Sequence, residues 1–131
     1  MWNVEFTDQF EEWWETLGGD EQRALTAAVQ LLERDGPALG RPLADTIKGS
    51  RHRNMKELRL PATALRVLFA FDPRRTAILL IGGNKQHRWR KWYVEFIPVA
   101  DSLYDEHLAE LRREGELRWV ATSHSRLWPT G

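Results

Sequence analysis

The sequence predicts an α+β domain in which one sheet carries packed helices, in the order strand, helix, helix, three strands, helix. Three observations point to it. Apolar residues repeat with period two at the N-terminus, with helical spacing up to residue 36, and with period two again between residues 56 and 83. Only short turns separate the later strands, so they form an antiparallel meander. A chain of 131 residues, 42% hydrophobic, supports one core rather than two.

Trp2, Val4 and Phe6 alternate with Asn3 and Glu5, a short half-buried strand. Thr7 is placed to cap a helix whose apolar stripe is Phe10, Trp13, Trp14 and Leu17. Gly18-Gly19 stops it. Asp20 then caps a second helix with Leu25, Ala28, Val29 and Leu32 on one face, closed by Gly36-Pro37. So short a link predicts an antiparallel helical hairpin. Residues 37–54 read as a loop. Lys56–Leu60 reads as a strand, and Leu65–Phe71 as another, with Arg66 the one charge among apolar residues. Thr76–Ile81 is an unbroken apolar run ending at Gly82-Gly83, as expected of a central strand covered on both faces. Residues 84–93 are basic and aromatic and read as a loop or strand edge. Pro98 is placed to start the last helix, which Gly115 ends. Residues 1–114 thus form the domain, and 115–131 an extension, with Leu117–Val120 a possible extra strand and Ser123 onward loose.

Nineteen basic and nineteen acidic residues cancel, but not locally. Residues 1–36 hold nine acidic and two basic residues, residues 37–92 three acidic and thirteen basic, and residues 93–131 seven acidic and four basic. Salt screens fields beyond about 8 Å, so the basic middle third can hold a polyanion although the molecule is neutral. A solvated basic face balanced by acidic helices explains the same asymmetry. Without cysteine, disulfides, thiolate metal sites and cysteine nucleophiles are excluded. His52, His87, His107 and His124 share no metal-ligand spacing, and no dinucleotide or phosphate-loop glycine pattern is present. Neither metal nor cofactor is expected. No apolar run approaches the roughly 20 residues of a membrane helix, and the N-terminus lacks signal-peptide features, so a cytoplasmic chain with no membrane partner is expected.

What remains is a basic constellation on the predicted sheet: Lys56, Arg59, Arg66 and Lys85, with His87 close in sequence. Arg66 stands out, because a charge on an apolar strand costs desolvation unless it is paired or ligated. Asp72 or Glu57 pairs with it in a purely structural reading; an anionic phosphate does so in a functional one. If the polyanion is RNA, metal-free cleavage needs fixed cations at the phosphate and a proton acceptor of lowered pKa. Crowding Lys56 and Lys85 against Arg59 and Arg66 depresses the lysines, since like charges disfavour protonation. Trp89, Trp92 and Tyr93 offer rings for base stacking, or belong to the core.

The chain resembles the RelE/ParE superfamily of bacterial toxins, in its phage-derived, HigB-like branch. The resemblance rests on Leu39-Gly40-Arg41-Pro42, Ile47-Lys48-Gly49-Ser50, Lys56-Glu57-Leu58-Arg59, Arg66–Asp72, Ile78–Gly83 and Lys85. It implies a RelE-like α+β fold, with an N-terminal strand and two-helix hairpin on an antiparallel sheet and a C-terminal helix. It also implies mRNA cleavage, generally on the translating ribosome and without metal, and neutralisation by a small helix-turn-helix, HigA-like antitoxin. Operator DNA would be met only through that antitoxin. By position, Arg59 and Arg66 match the sheet arginines, Lys85 the basic residue after the last long strand, and Lys56 and His87 the proton-transfer candidates. Lys48, Arg51, Arg53, Arg88, Trp89, Arg90, Lys91 and Tyr93 are the expected RNA contacts. The leading expectation is a type II toxin acting as an mRNA endonuclease. A ParE-like gyrase inhibitor and a non-catalytic nucleic-acid- or antitoxin-binding module are the alternatives.

Overall fold

The computed structural model describes residues 1–116 and 125–129. The chain runs β1 (Val4–Phe6), α1 (Asp8–Trp14), α2 (Gly19–Asp35), a single 3-10 turn (Gly36–Ala38), β2 (Ala44–Thr46), β3 (Met55–Arg59), β4 (Leu65–Phe71), β5 (Ala77–Asn84), α3 (Trp89–Glu116) and β6 (Arg126–Leu127). The strands form one sheet in the order β2-β3-β4-β5-β1-β6. The β3-β4-β5 meander is antiparallel as predicted, but β1 lies parallel to β5, so the sheet is mixed. The parallel pairing follows from connectivity: two helices, not a tight turn, separate β1 from the rest.

Alternation along the strands builds two cores. Leu58, Leu65, Val67, Phe69, Ala77 and Leu79 face α1 and α2, meeting Phe10, Leu25, Val29 and Leu32. Met55, Leu68, Ala70, Ile78 and Leu80 face α3, meeting Trp92, Ile97, Ala100 and Tyr104. The helices therefore cover both faces, which is why β5 reads as a continuous apolar run. Thr7 caps α1 as expected, accepting from the Phe10 amide at 3.1 Å and donating to the Leu80 carbonyl at 2.6 Å. The second helix is capped by Gly18 rather than Asp20, which sits in its first turn.

Gly82 and Gly83 explain themselves here. A Cβ on Gly82 would strike the Trp13 ring, and one on Gly83 the Trp92 ring. Two indoles, one from each helical layer, thus lie flat against opposite faces of the end of β5.

Three expectations are corrected. The loop assigned to 37–54 contains β2, an edge strand too short for periodicity to reveal. The last helix starts at Trp89, and Pro98 is internal. Pro98 lies on the exposed face, as does Val94, whose carbonyl loses its helical partner but keeps access to water. Ser123 onward is not uniformly loose: β6 pairs antiparallel with β1, and Trp128 is buried against Phe6, Phe10 and Trp14. The possible strand at Leu117–Val120 lies outside the described residues. No described helix is long and apolar enough to cross a membrane.

Candidate active site

Register brings three of the predicted cations to one end of the sheet. Arg59 lies opposite Arg66, and Arg66 opposite Gly83. Lys85 follows β5 directly, its amide bonded to the Ala64 carbonyl at 3.0 Å. Arg66 shares its face of β4 with Leu68 and Ala70, the face that α3 covers. The first turns of α3 close the cluster from above. Lys85 Nζ lies 4.9 Å from the centre of the Trp89 ring and 5.9 Å from that of Tyr93.

The three cations are not equivalent. Arg59 Nε donates to Glu57 Oε1 at 2.6 Å, and its Nη2 reaches Asp45 at 3.4 Å. That hydrogen bond to Glu57 holds the guanidinium above its ordinary pKa against the opposing effect of burial. Arg59 is therefore bound to carboxylates on both sides. Arg66 donates to the Leu65 and Thr63 carbonyls at 2.8 and 3.3 Å, and its buried Nε makes no hydrogen bond. Both carboxylates proposed for it are engaged elsewhere: Glu57 by Arg59 and Tyr93, Asp72 by Arg74 and His107. No carboxylate bonds to Lys85 among the described residues. Burial lowers the Lys85 pKa, the charges of Arg66 and Arg59 lower it further, and Glu57 opposes them.

Tyr93 donates its hydroxyl to Glu57 Oε2 at 2.7 Å. Burial and that carboxylate push its pKa up to about 12, while the Arg66 charge acts the other way. Trp89 is 63% exposed, an open ring beside Lys85. Trp92 is fully buried on Gly83, so it belongs to the core and offers no stacking surface.

Two further proton-transfer candidates part company. Lys56 alternates with Glu57 and falls on the face of β3 shared with Leu58, opposite the cluster. That corrects its grouping with Arg59, Arg66 and Lys85. His87 is exposed on the loop between β5 and α3, with a positive φ of 64°. Arg90 and Lys91 are exposed at the start of α3, and Arg88 is ion-paired with Glu95.

The remaining basic residues sit elsewhere. Lys48, Arg51 and Arg53 belong to the β2–β3 loop, which leads into Met55. Four residues of strand, about 13 Å, separate Met55 from Arg59. Arg51 is paired there with Asp105, and its amide bonds to Asp101 at 3.1 Å. They therefore stand apart from the expected RNA contacts at the start of α3. Sequence reading offered Glu57 as a partner of Arg66 and missed that its partners are Arg59 and Tyr93. Its spacing from Arg59, two residues along a strand, was the available signal, because such residues share a face.

Residues 12–105 match the family model described as phage-derived protein Gp49-like. Two chains of Mycobacterium tuberculosis that carry the toxin names HigB2 and HigB3 are each 48% identical to it. The HigB2 match covers 79% of this chain and 53% of HigB2; the HigB3 match covers 77% of this chain and 89% of HigB3. In three dimensions it resembles the isolated RelE toxin of E. coli, with a TM-score of 0.54 at 12% identity over 64% of this chain and 84% of RelE. It also resembles a chain of the RelB–RelE antitoxin–toxin complex of Methanococcus jannaschii, with a TM-score of 0.52 at 11% identity over 66% of this chain and 96% of that one. With the α+β sheet, the helical layers and the extended sequence match in agreement, the chain has a RelE-like fold and belongs to the phage-derived Gp49-like family.

Proposed function

We propose that this protein is the toxin of a type II toxin–antitoxin pair and that it inhibits translation as a metal-independent mRNA endonuclease. The observation that carries the reading is the charge imbalance at one end of the sheet, where Arg66 and Lys85 stand together without a bonded carboxylate. The 2′-oxygen of the substrate attacks the adjacent phosphorus, and the bond from phosphorus to the 5′-oxygen breaks. Lys85, easier to deprotonate than an ordinary lysine, takes the 2′-hydroxyl proton. Arg66 stabilises the charge that grows on the phosphoryl oxygens, for which a planar guanidinium is suited. His87, on the same loop, returns a proton to the departing 5′-oxygen. Trp89 stacks on a base beside the scissile phosphate.

The ribosome presents the message in this reading, and a helix-turn-helix antitoxin silences the toxin and carries it to operator DNA. The named RelB–RelE complex among the structural relatives supports an antitoxin partner. Primer extension on a translated message, with and without ribosomes, tests the activity. The wild type produces defined cuts, and Arg66→Ala and Lys85→Ala do not while still folding and binding antitoxin. No cleavage by the purified wild type in either setting overturns the enzyme reading.

A further inference from the structure

Glu57 is the carboxylate at the base of the cationic cluster, and its side chain is only 2% exposed. Both of its oxygens are used, one by Arg59 on the same strand at 2.6 Å and the other by Tyr93 on α3 at 2.7 Å. A buried charge persists only where its partners are held with good geometry. This one joins the sheet to the helix turn that carries the rings around Lys85. We propose that Glu57 is the positioning residue of the site: it anchors Tyr93 and Arg59 beneath Lys85, and its negative charge offsets the surrounding cations.

The groups that face this centre come from every neighbouring element. Asp45 lies on β2, Arg59 on β3, Arg66 on β4 and Tyr93 on α3, with Lys85 on the loop and the Arg88–Glu95 pair beside it. Of the anions, Glu57 is the one that raises the Lys85 pKa, against burial, Arg66 and Arg59. Asp45 is already shared between Arg41 and Arg59. Removing the Glu57 charge while keeping its shape must therefore make Lys85 release its proton at lower pH. A role confined to stability would instead lower the melting midpoint and leave the Lys85 titration where it is.

This inference rests on the nuclease reading for its rate predictions but not for its charge prediction. The experiment follows the Lys85 side chain by carbon-13 NMR of labelled lysine across pH, in the wild type and in Glu57→Gln. Thermal melting and the pH dependence of message cleavage are measured on the same proteins. Glu57→Gln lowers the Lys85 titration midpoint by about one pH unit, and the rising limb of the cleavage profile moves with it. A folded Glu57→Gln protein with an unmoved Lys85 midpoint overturns the proposal. A shifted midpoint with no cleavage by either protein supports it and overturns the nuclease reading alone. Glu57→Asp keeps the charge but shortens the arm. It leaves the midpoint in place and lowers cleavage about tenfold through loss of the Tyr93 contact, and wild-type cleavage by Glu57→Asp overturns the positioning role even if Glu57→Gln fails to fold.

Discussion

The two ends of the sheet hold similar cations under opposite regimes. At the Met55–Phe71 end four basic groups that reach α3 or the β4–β5 turn are answered by carboxylates. Arg51 and His52 meet Asp105, Arg74 meets Asp72 and Glu5, and buried His107 lies 2.8 Å from Asp72. At the Arg59–Lys85 end, one cation is answered by Glu57 and Asp45, and two have no bonded carboxylate. The basic excess of residues 37–92 is therefore not one patch. Pairing divides it into a part that ties α3 and the turns to the sheet and a part left available for a ligand. Charge counts along a sequence cannot make this division, because it depends on which carboxylates, near or distant in sequence, lie against which cations.

Breaking the paired end gives the largest effect on stability. Burial pushes the Asp72 carboxyl up, but hydrogen bonds from His107, Arg74 and the Thr76 amide outweigh it and hold the group below its ordinary value of 3.8. Asp72→Ala strands buried His107, leaves Arg74 with Glu5 alone, and costs about 3–5 kcal/mol. Thermal denaturation then shows a midpoint lower by more than about 10 °C. Because the folded-state value is depressed, the contribution is complete above about pH 5 and lost as pH falls through that depressed value. Acid titration of the wild type, followed by circular dichroism, shows stability falling below about pH 4, and Asp72→Asn flattens that dependence.

Breaking the unpaired end leaves stability nearly untouched and removes activity. Arg66→Ala and Lys85→Ala each lower message cleavage by about 100- to 1000-fold, as expected for a fixed charge acting on the reacting phosphate. Their melting midpoints stay within a few degrees of the wild type, and primer extension gives the rates. The support beneath this end is tested by Gly82→Ala. Its new methyl group meets the Trp13 ring and costs about 1–3 kcal/mol in chemical denaturation.

The smallest effect belongs to Arg51→Ala. Its ion pair with Asp105 is exposed and contributes at most about 1 kcal/mol, and its side chain is at the far end from Lys85. Cleavage changes less than about threefold and urea denaturation barely moves. A loss comparable to that of Lys85→Ala would show that both ends of the sheet meet the RNA.

Much of the fold was legible because it rests on local pattern. The Phe10–Trp14 part of the first helical stripe, the Thr7 cap, the β3-β4-β5 meander and the both-faces burial of β5 all follow from spacing and turn residues, whereas the helix ends at Trp14, short of Leu17. What escaped depends on contacts distant in sequence. The parallel pairing of β1 with β5 and the return of Trp128 to Phe6, Phe10 and Trp14 leave no periodic trace. Pro98 misled because helix-start reasoning does not see that its lost hydrogen bond falls on a solvated face. In the candidate site, Arg66 and Lys85 were legible as charges beside apolar strands. Lys56 was grouped with them by composition, although strand alternation turns it to the opposite face from Glu57 and Arg59. The Gly82-Gly83 pair, uninformative as a phosphate motif, marks where Trp13 and Trp92 approach the backbone.

The central claim is that unpaired side-chain cations at one end of the sheet carry out phosphoryl transfer, and the chemistry of the cut ends tests it most directly. Message cleaved by the wild type should end in a 2′,3′-cyclic phosphate on one fragment and a 5′-hydroxyl on the other, with neither product formed by Lys85→Ala. Fragments bearing a 3′-hydroxyl and a 5′-phosphate would contradict it.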